Sequence, residues 1–273
     1  MKLTYLGTAA AEGFPAVFCN CQYCQEARKL GGKNIRTRSQ AIINDDLLID
    51  LCPDTYHHFL VNNIESHKIK YLVITHAHGD HLYPVELCNR QKPYAHGMEA
   101  PTLEVYGSAL SIERATQICG APKNVSFNVI DRFQRFELGE YTLWSLPARH
   151  MDQKNAFFYV IKQGEKTLLY GHDTGFFYDE VFDFFKNEGF KFDLVSLDCT
   201  NGDIAISDTS SHMGFENNKR LLERLESIGC IGPATKKIIN HFSHNANPIH
   251  EHFTKRAASF GCDVSYDSMT VEI

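Results

Sequence analysis

Residues 75–81 read Thr-His-Ala-His-Gly-Asp-His and follow directly on the apolar run Tyr71-Leu-Val-Ile. A short continuous apolar run bounded by polar residues reads as a buried strand. Imidazole and carboxylate are the groups that zinc and first-row metals take as ligands. A loop leaving a strand end can aim alternate residues at one ion and the next pair at another. His76 and His78 are therefore read as sharing one metal, and Asp80 with His81 a second. A His-rich solvated turn is the plainer alternative. Four donors packed behind a hydrophobic strand weigh against it.

Four side chains cannot close two coordination spheres, so further ligands are expected at other strand ends. Three segments supply them: Pro147-Ala-Arg-His150, Leu168-Leu-Tyr-Gly-His-Asp173 and Lys237-Ile-Ile-Asn-His241. A lone His or Asp at a strand end is more often a cap or a satisfied polar group. Three in the same topological position, beside the first motif, read as ligands.

The rest of the chain fits one α/β domain spanning residues 1–273, a mixed-sheet sandwich of strands joined partly by helices and partly by hairpins. Apolar or alternating segments predict strands at 2–6, 39–44, 47–50, 69–75, 103–107, 125–130, 141–146, 156–161, 166–170, 192–198 and 236–240. Helical patterns cover 111–119, 178–187, 214–228 and 248–260. Phe176, Phe177, Tyr178, Phe182, Phe184 and Phe185 at helical spacing predict a helix packed on a sheet, and Trp144 is assigned to the core. The 43% hydrophobic content supplies that core and excludes a disordered chain. No apolar run is long enough to span a bilayer. The start MKLTYLGTAA shows no apolar leader pattern, so a cytoplasmic protein is expected. A net charge of −6 argues against a dedicated nucleic-acid surface, which needs basic patches.

Nine cysteines are present, three of them within six residues, Cys19, Cys21 and Cys24. In a reducing compartment such a cluster reads as metal ligation before disulfides. Three thiolates are one short of a tetrahedral zinc site. His244, three residues beyond His241, is the natural fourth ligand.

Asp50 at a strand end, His76-x-His78-x-Asp80-His81, His150, Asp173 and His241 together resemble the successive motifs of the metallo-β-lactamase superfamily. The resemblance implies an αββα sandwich, two mixed β-sheets flanked by helices, with the metal site along one edge. It implies that His76, His78 and His150 hold one ion, that Asp80, His81 and His241 hold the other, and that Asp173 bridges them. Asp50 would orient a ligand or the attacking water. True β-lactamases commonly carry Cys where Asp173 stands. The tRNA-processing members usually carry a protruding basic arm that has no match here.

A narrower resemblance is to the PhnP-type phosphodiesterases of the carbon–phosphorus lyase pathway. It is carried by Gly7-Thr8 with Gly13-x-Pro15, Cys19-x-Cys21-x-x-Cys24, Asp198-Cys199-Thr200, Ser211-His212-Met213, His241-x-x-His244 and the tail from Tyr266 to Ile273. Asn240 departs from the Thr expected before the metal-binding His, a change expected to perturb hydrogen bonding more than ligation. The likeness implies two divalent ions (Mn or Zn) in the active site and one structural Zn. It also implies a small cyclic phosphodiester substrate, of the phosphoribosyl 1,2-cyclic phosphate or 2′,3′-cyclic nucleotide type. His212 would face the scissile phosphate, making His212, Asp80 and Asp50 the catalytic candidates. A hydrolase of another ester, and a non-hydrolytic accessory protein of coenzyme biosynthesis that shares the cysteine cluster, remain open, as does a homodimer. Arg36, Arg38 and Arg149 are candidates for binding a further phosphate.

Overall fold

The apolar segments pair into two seven-stranded sheets in a computed structural model that describes residues 1–273. The first holds β1 (Lys2–Gly7), β2 (Gln40–Ile43), β3 (Leu47–Ile49), β4 (Tyr71–Val73), β5 (Leu103–Gly107) and β6 (Val125–Val129). The second holds β7 (Gln134–Leu138), β8 (Tyr141–Pro147), β9 (Phe157–Gln163), β10 (Lys166–Gly171), β11 (Leu194–Asp198), β12 (Lys236–Asn240) and β13 (Asp263–Val264). The last strand, β14 (Met269–Glu272), returns to the first sheet and pairs antiparallel with β1. Each sheet is half meander and half parallel: β3 to β6 run parallel, as do β10 to β13, and the remaining pairs are antiparallel.

Period-two alternation sorts each strand between two cores. On β9, Phe157, Tyr159 and Ile161 point between the sheets, where they meet Leu3, Tyr5, Ile43, Ile49 and Val73. Phe158 and Val160 point the other way, toward the helices. There α5 (Asp179–Glu188), α6 (Phe215–Ser227) and α7 (His250–Ala258) bury Phe182, Phe185, Leu221, Leu225 and Phe253. On the outer face of the first sheet, α4 (Ala109–Cys119) packs Ile112 and Ala115 against Leu72 and Val105. The result is four layers, αββα. At about 25 cal/mol per Å² of buried apolar surface, the faces shared by two sheets and two helix layers hold most of the folding drive.

The aromatic run lies on and just before α5: Phe177, Phe182 and Phe185 are buried in that core, and Phe176, Tyr178 and Phe184 pack at its margin. Trp144 is also buried there. Helix α5 begins with Asp179 and Glu180 and ends at Gly189 in the left-handed region, φ 69°.

Six elements lie outside the expected set: β7, β13, β14, α1 (Gln22–Leu30), α2 (Thr55–Val61) and α3 (Val85–Cys88). Strand β7 is mostly exposed, β13 has two residues, and β14 buries only Val271, so none carries a strong periodic signal. Helix α1 buries only Cys24 and Ala27. The chain directions bring the C-terminal ends of β3, β4, β8, β10, β11 and β12 to one edge of the sandwich. A bond from the amide of Phe157 to the carbonyl of Thr75 (2.8 Å) ties the two sheets together there.

Candidate metal centre

Every proposed ligand of the paired-metal motifs comes off that edge. Asp50 follows β3, residues 75–81 follow β4, His150 follows β8, Asp173 follows β10 and His241 follows β12. Asp173 stands at the centre. Its Oδ2 lies 3.2 Å from His76 Nε2, 3.0 Å from His81 Nε2 and 3.7 Å from His241 Nε2. Its Oδ1 lies 3.3 Å from His150 Nδ1 and 3.1 Å from His212 Nδ1. His78 Nδ1 sits 2.9 Å from both His76 Nε2 and His150 Nε2. Asp80 Oδ2 is 3.4 Å from His81 Nε2. The donors fall into two sets that share Asp173: His76, His78 and His150 on one side, Asp80, His81 and His241 on the other. Within each set the donor atoms lie within 4.8 Å of one another.

The fit to cations shows in what these atoms lack. His81 Nε2, His150 Nδ1, His241 Nε2 and Asp173 Oδ1 are buried and make no hydrogen bond. An unsatisfied buried polar atom costs about 1–3 kcal/mol. Four of them converging on one point are what a pair of divalent ions would satisfy. The backbone is also constrained, since Asp50, Asp173 and His241 have φ of 64°, 51° and 64°. Non-glycine residues in the left-handed region cost on the order of 1–3 kcal/mol and cluster at functional sites.

Behind the donors stands a layer that fixes their direction. Asp50 accepts hydrogen bonds from the Thr75 amide (2.7 Å), the Thr75 hydroxyl (2.8 Å) and His81 Nδ1–H (2.7 Å). It therefore leaves His81 Nε2 free to face Asp173. Burial alone would favour neutral His81, but Asp50, Asp173 and Asp80 outweigh it and hold its pKa well above the ordinary value, so a cation binding at Nε2 would take the place of that proton. His76 is held well below by burial and by the charge of His81, the neutral form a ligand needs. Below His241, Asn240 donates to His172 (3.1 Å) and accepts from Ser265, and His172 meets Ser196 (2.6 Å).

On the other flank Asp198, fully buried, accepts from the amides of Thr200 (3.0 Å) and Met213 (2.9 Å) and from His212 Nδ1–H (3.1 Å). His241 Nδ1 is 2.8 Å from the Thr200 hydroxyl. Burial opposes charge on His212, yet Asp198 and Asp173 raise its pKa to about 9. The loop bearing His212 is pressed against the Asp173 loop at Gly175, where a Cβ would lie 1.8 Å from the Ser210 carbonyl oxygen. Only glycine permits that approach.

A family-level match decides the assignment: the β-lactamase superfamily domain covers residues 46–242, which carry all of these paired-metal residues. The chain belongs to the metallo-β-lactamase superfamily. Two relatives are ribonucleases. Ribonuclease BN of Cronobacter sakazakii (strain ATCC BAA-894) is 32% identical over 157 residues, 55% of this chain and 46% of that protein. Ribonuclease Z of Streptococcus sanguinis (strain SK36) is 29% identical over 107 residues, 39% of this chain and 30% of that protein. The chain thus spans less than half the length of either relative.

Among solved structures of this superfamily's fold, a diphosphatase from the PhnP family superposes with a TM-score of 0.76 at 19% identity, covering 100% of this chain and 97% of that one. Zn²⁺-bound PqqB from Methylobacterium extorquens superposes with a TM-score of 0.76 at 17% identity, over 100% of both chains. The short form of human tRNase Z gives 0.65 at 15% identity, over 100% of this chain and 99% of that one. These likenesses show the fold.

The cysteine cluster lies outside the superfamily match. Cys19, Cys21, Cys24 and His244 nonetheless bring one donor atom each within 4.8 Å of the others. His244 Nδ1 is 3.8 Å from Cys21 Sγ and 3.7 Å from Cys24 Sγ. A tetrahedron with Zn–S bonds of about 2.3 Å has edges of about 3.8 Å, so the set suits zinc. Backbone amides already point at sulfur, Ala16 at Cys24 (3.3 Å) and Cys21 at Cys19 (3.4 Å).

The three arginines separate. Arg36 is buried, bonded to Thr8, the Ser265 carbonyl and His250, and so unavailable to a ligand. Arg38 pairs with Asp54 at 3.0 Å. Arg149 stacks on Tyr178 at 4.0 Å and donates through Nε to the Phe176 carbonyl. Sequence reasoning assigned no role to Asp198 or Thr200. Asp198 ends strand β11, so the rule that found His150, Asp173 and His241 would have found it too.

Proposed function

We propose that this protein is a metal-dependent phosphodiesterase with a dinuclear centre, acting on a small cyclic phosphodiester. The observation that carries it is the pair of donor sets sharing Asp173 with His212 beside them, 3.1 Å from the shared carboxylate. His76, His78, His150 and Asp173 would hold one divalent ion, and Asp80, His81, His241 and Asp173 the other, as Mn or Zn. When bound, such a pair supplies Lewis acidity toward phosphoryl oxygens and a nucleophilic water near neutral pH.

The chain's own residues do the rest. Asp50 holds His81 in the tautomer that presents Nε2. Thr200 does the same for His241. Asp198 anchors His212 through Nδ1–H, which leaves Nε2–H of the imidazolium to meet the substrate. His212 is thus poised to donate a proton to the departing alkoxide, a poor leaving group without it. Cys19, Cys21, Cys24 and His244 would hold a third, structural zinc. Free thiols kept as metal ligands suit the cytoplasm.

A panel of cyclic and linear phosphodiesters, assayed with defined Mn²⁺ or Zn²⁺ and with metal content measured, tests this reading. The expected result is turnover of a small diester by protein carrying three metals per chain. Fully metallated protein that cleaves no diester would overturn it and leave the accessory-protein reading. The ribonuclease relatives favour a second reading, cleavage of an RNA phosphodiester. Precursor tRNA in the same panel decides between them, since preference for it over every small diester selects the second.

A further inference from the structure

The loop His241-Phe-Ser-His244 carries a ligand of each metal set at its two ends, and its middle is fastened to the segment that leads into the cysteines. The amide of Phe242 donates to the Thr8 carbonyl (3.0 Å), and the Phe242 carbonyl accepts from the Ala10 amide (3.0 Å). Two residues on, Glu12 reaches back. Its Oε1 accepts from the Ser243 hydroxyl (2.6 Å) and from the His244 amide (3.2 Å), and lies 4.0 Å from His244 Nε2. The metal centre does not use Glu12 as a donor, and it belongs to neither ligand set.

We propose that Glu12 is a positioning residue that couples the two metal sites. Filling the cysteine site pins His244 to Cys21 and Cys24. Glu12 makes the peptide between His244 and His241 rigid, so that His241 keeps its left-handed backbone and its aim at Asp173. Without the carboxylate, the loop pivots on Phe242 and each end moves independently. Coupling between sites is reciprocal in equilibrium affinity, so a cation at the dinuclear centre must equally tighten zinc at the cysteines. This rests on the two metal sites and not on phosphodiester hydrolysis.

The experiment titrates Mn²⁺ alone into zinc-bearing protein whose dinuclear centre has been emptied, with free Mn²⁺ followed by paramagnetic resonance. Glu12→Ala and Cys21→Ser are each expected to weaken Mn²⁺ binding on the order of 10-fold. The double variant should be no more than about twofold weaker than Cys21→Ser alone, the signature of a shared route. Glu12→Gln, whose amide oxygen accepts the same two hydrogen bonds, should restore wild-type binding. In the reverse arm, the share of zinc taken at equilibrium by a competing chromogenic chelator should fall when Mn²⁺ is present in the wild type but not in Glu12→Ala. That arm needs no cysteine variant and stands if Cys21→Ser fails to fold. Unchanged Mn²⁺ affinity in Glu12→Ala, or an equal Cys21→Ser loss with and without Glu12, overturns the coupling. Protein that takes up no zinc at the cysteines overturns the cysteine site together with it.

Discussion

The two candidate metal sites are built in opposite ways. The paired donor sets around Asp173 hang from the ends of β4, β8, β10 and β12, and His76, His81, Asp173 and His241 are buried. Its support is independent of any ion: Asp50, Asp198 and Thr200 hold the rings in place by hydrogen bonds. The cysteine set sits on a loop and the short helix α1 over a cluster of only six buried residues, and Cys19 and Cys21 are partly exposed. Apart from the ligands, that loop is held mainly by backbone bonds such as Phe14 to Arg36 and by Glu12, with little apolar burial beneath it. The contrast separates a site prepared to use an ion from a site that would use an ion to finish the fold.

The largest effect should come from His76→Ala, which removes a donor next to the shared Asp173. Diester hydrolysis should fall to background and active-site metal should be lost, while the melting temperatures of variant and wild type, both stripped of active-site metal, should differ little because the two sheets keep their cores. Concerted loss of activity and cooperative folding would show that the dinuclear centre also carries the fold. His212→Ala should keep its metals and lose about 10²–10⁴ in rate, the usual worth of a positioned acid. The loss should shrink for a nitrophenyl diester, whose leaving group needs little protonation. An equal loss on both substrates would assign His212 to phosphate binding.

Cys21→Ser tests the other site by stability. A ligand present at 1,000 times its Kd stabilises by about 4 kcal/mol. At about 2–4 °C per kcal/mol for a chain of this size, melting should drop by about 8–16 °C with zinc released. Unchanged melting would mean the loop does not depend on metal. Asp198→Asn should cost about 10–100-fold in rate, typical of a residue that orients another ligand or acid, with metal stoichiometry intact.

The smallest effect is a control outside both sites. His58 is fully buried and bonded to Thr37 and Gln40, and burial pushes its pKa down to about 4. The unfolded chain then takes up a proton on His58 that the folded chain refuses, so this contribution is lost as pH falls from 7 toward 4. Between pH 7 and pH 6 the cost is about 0.7 kcal/mol. Urea unfolding of wild type and His58→Gln should show the slope flattening in the variant, and equal slopes would remove His58 as the cause.

Much of this was legible in the chain itself. Ligand chemistry is a property of residue type, and a buried strand announces its end by a change from apolar to polar residues. His76, His78, Asp80, His81, His150, Asp173 and His241 could therefore be picked out one strand at a time. The alternation that separates Tyr159 from Phe158 is local as well, and so is the helical spacing of the aromatic run in α5. What remained hidden depends on contacts far apart in sequence. Asp198 and His212 are 14 residues apart, and Glu12 and Ser243 are 231 apart. Strand β14 exists only because β1 offers it a free edge. The three arginines looked alike in sequence, and burial alone told them apart: Arg36 is enclosed, while Arg38 and Arg149 are held at the surface by Asp54 and Tyr178. Residue type and periodicity select the donors because both act over a few bonds. Which carboxylate orients which imidazole is decided only when the two sheets close, because a hydrogen bond depends on distance in space and not on distance along the chain.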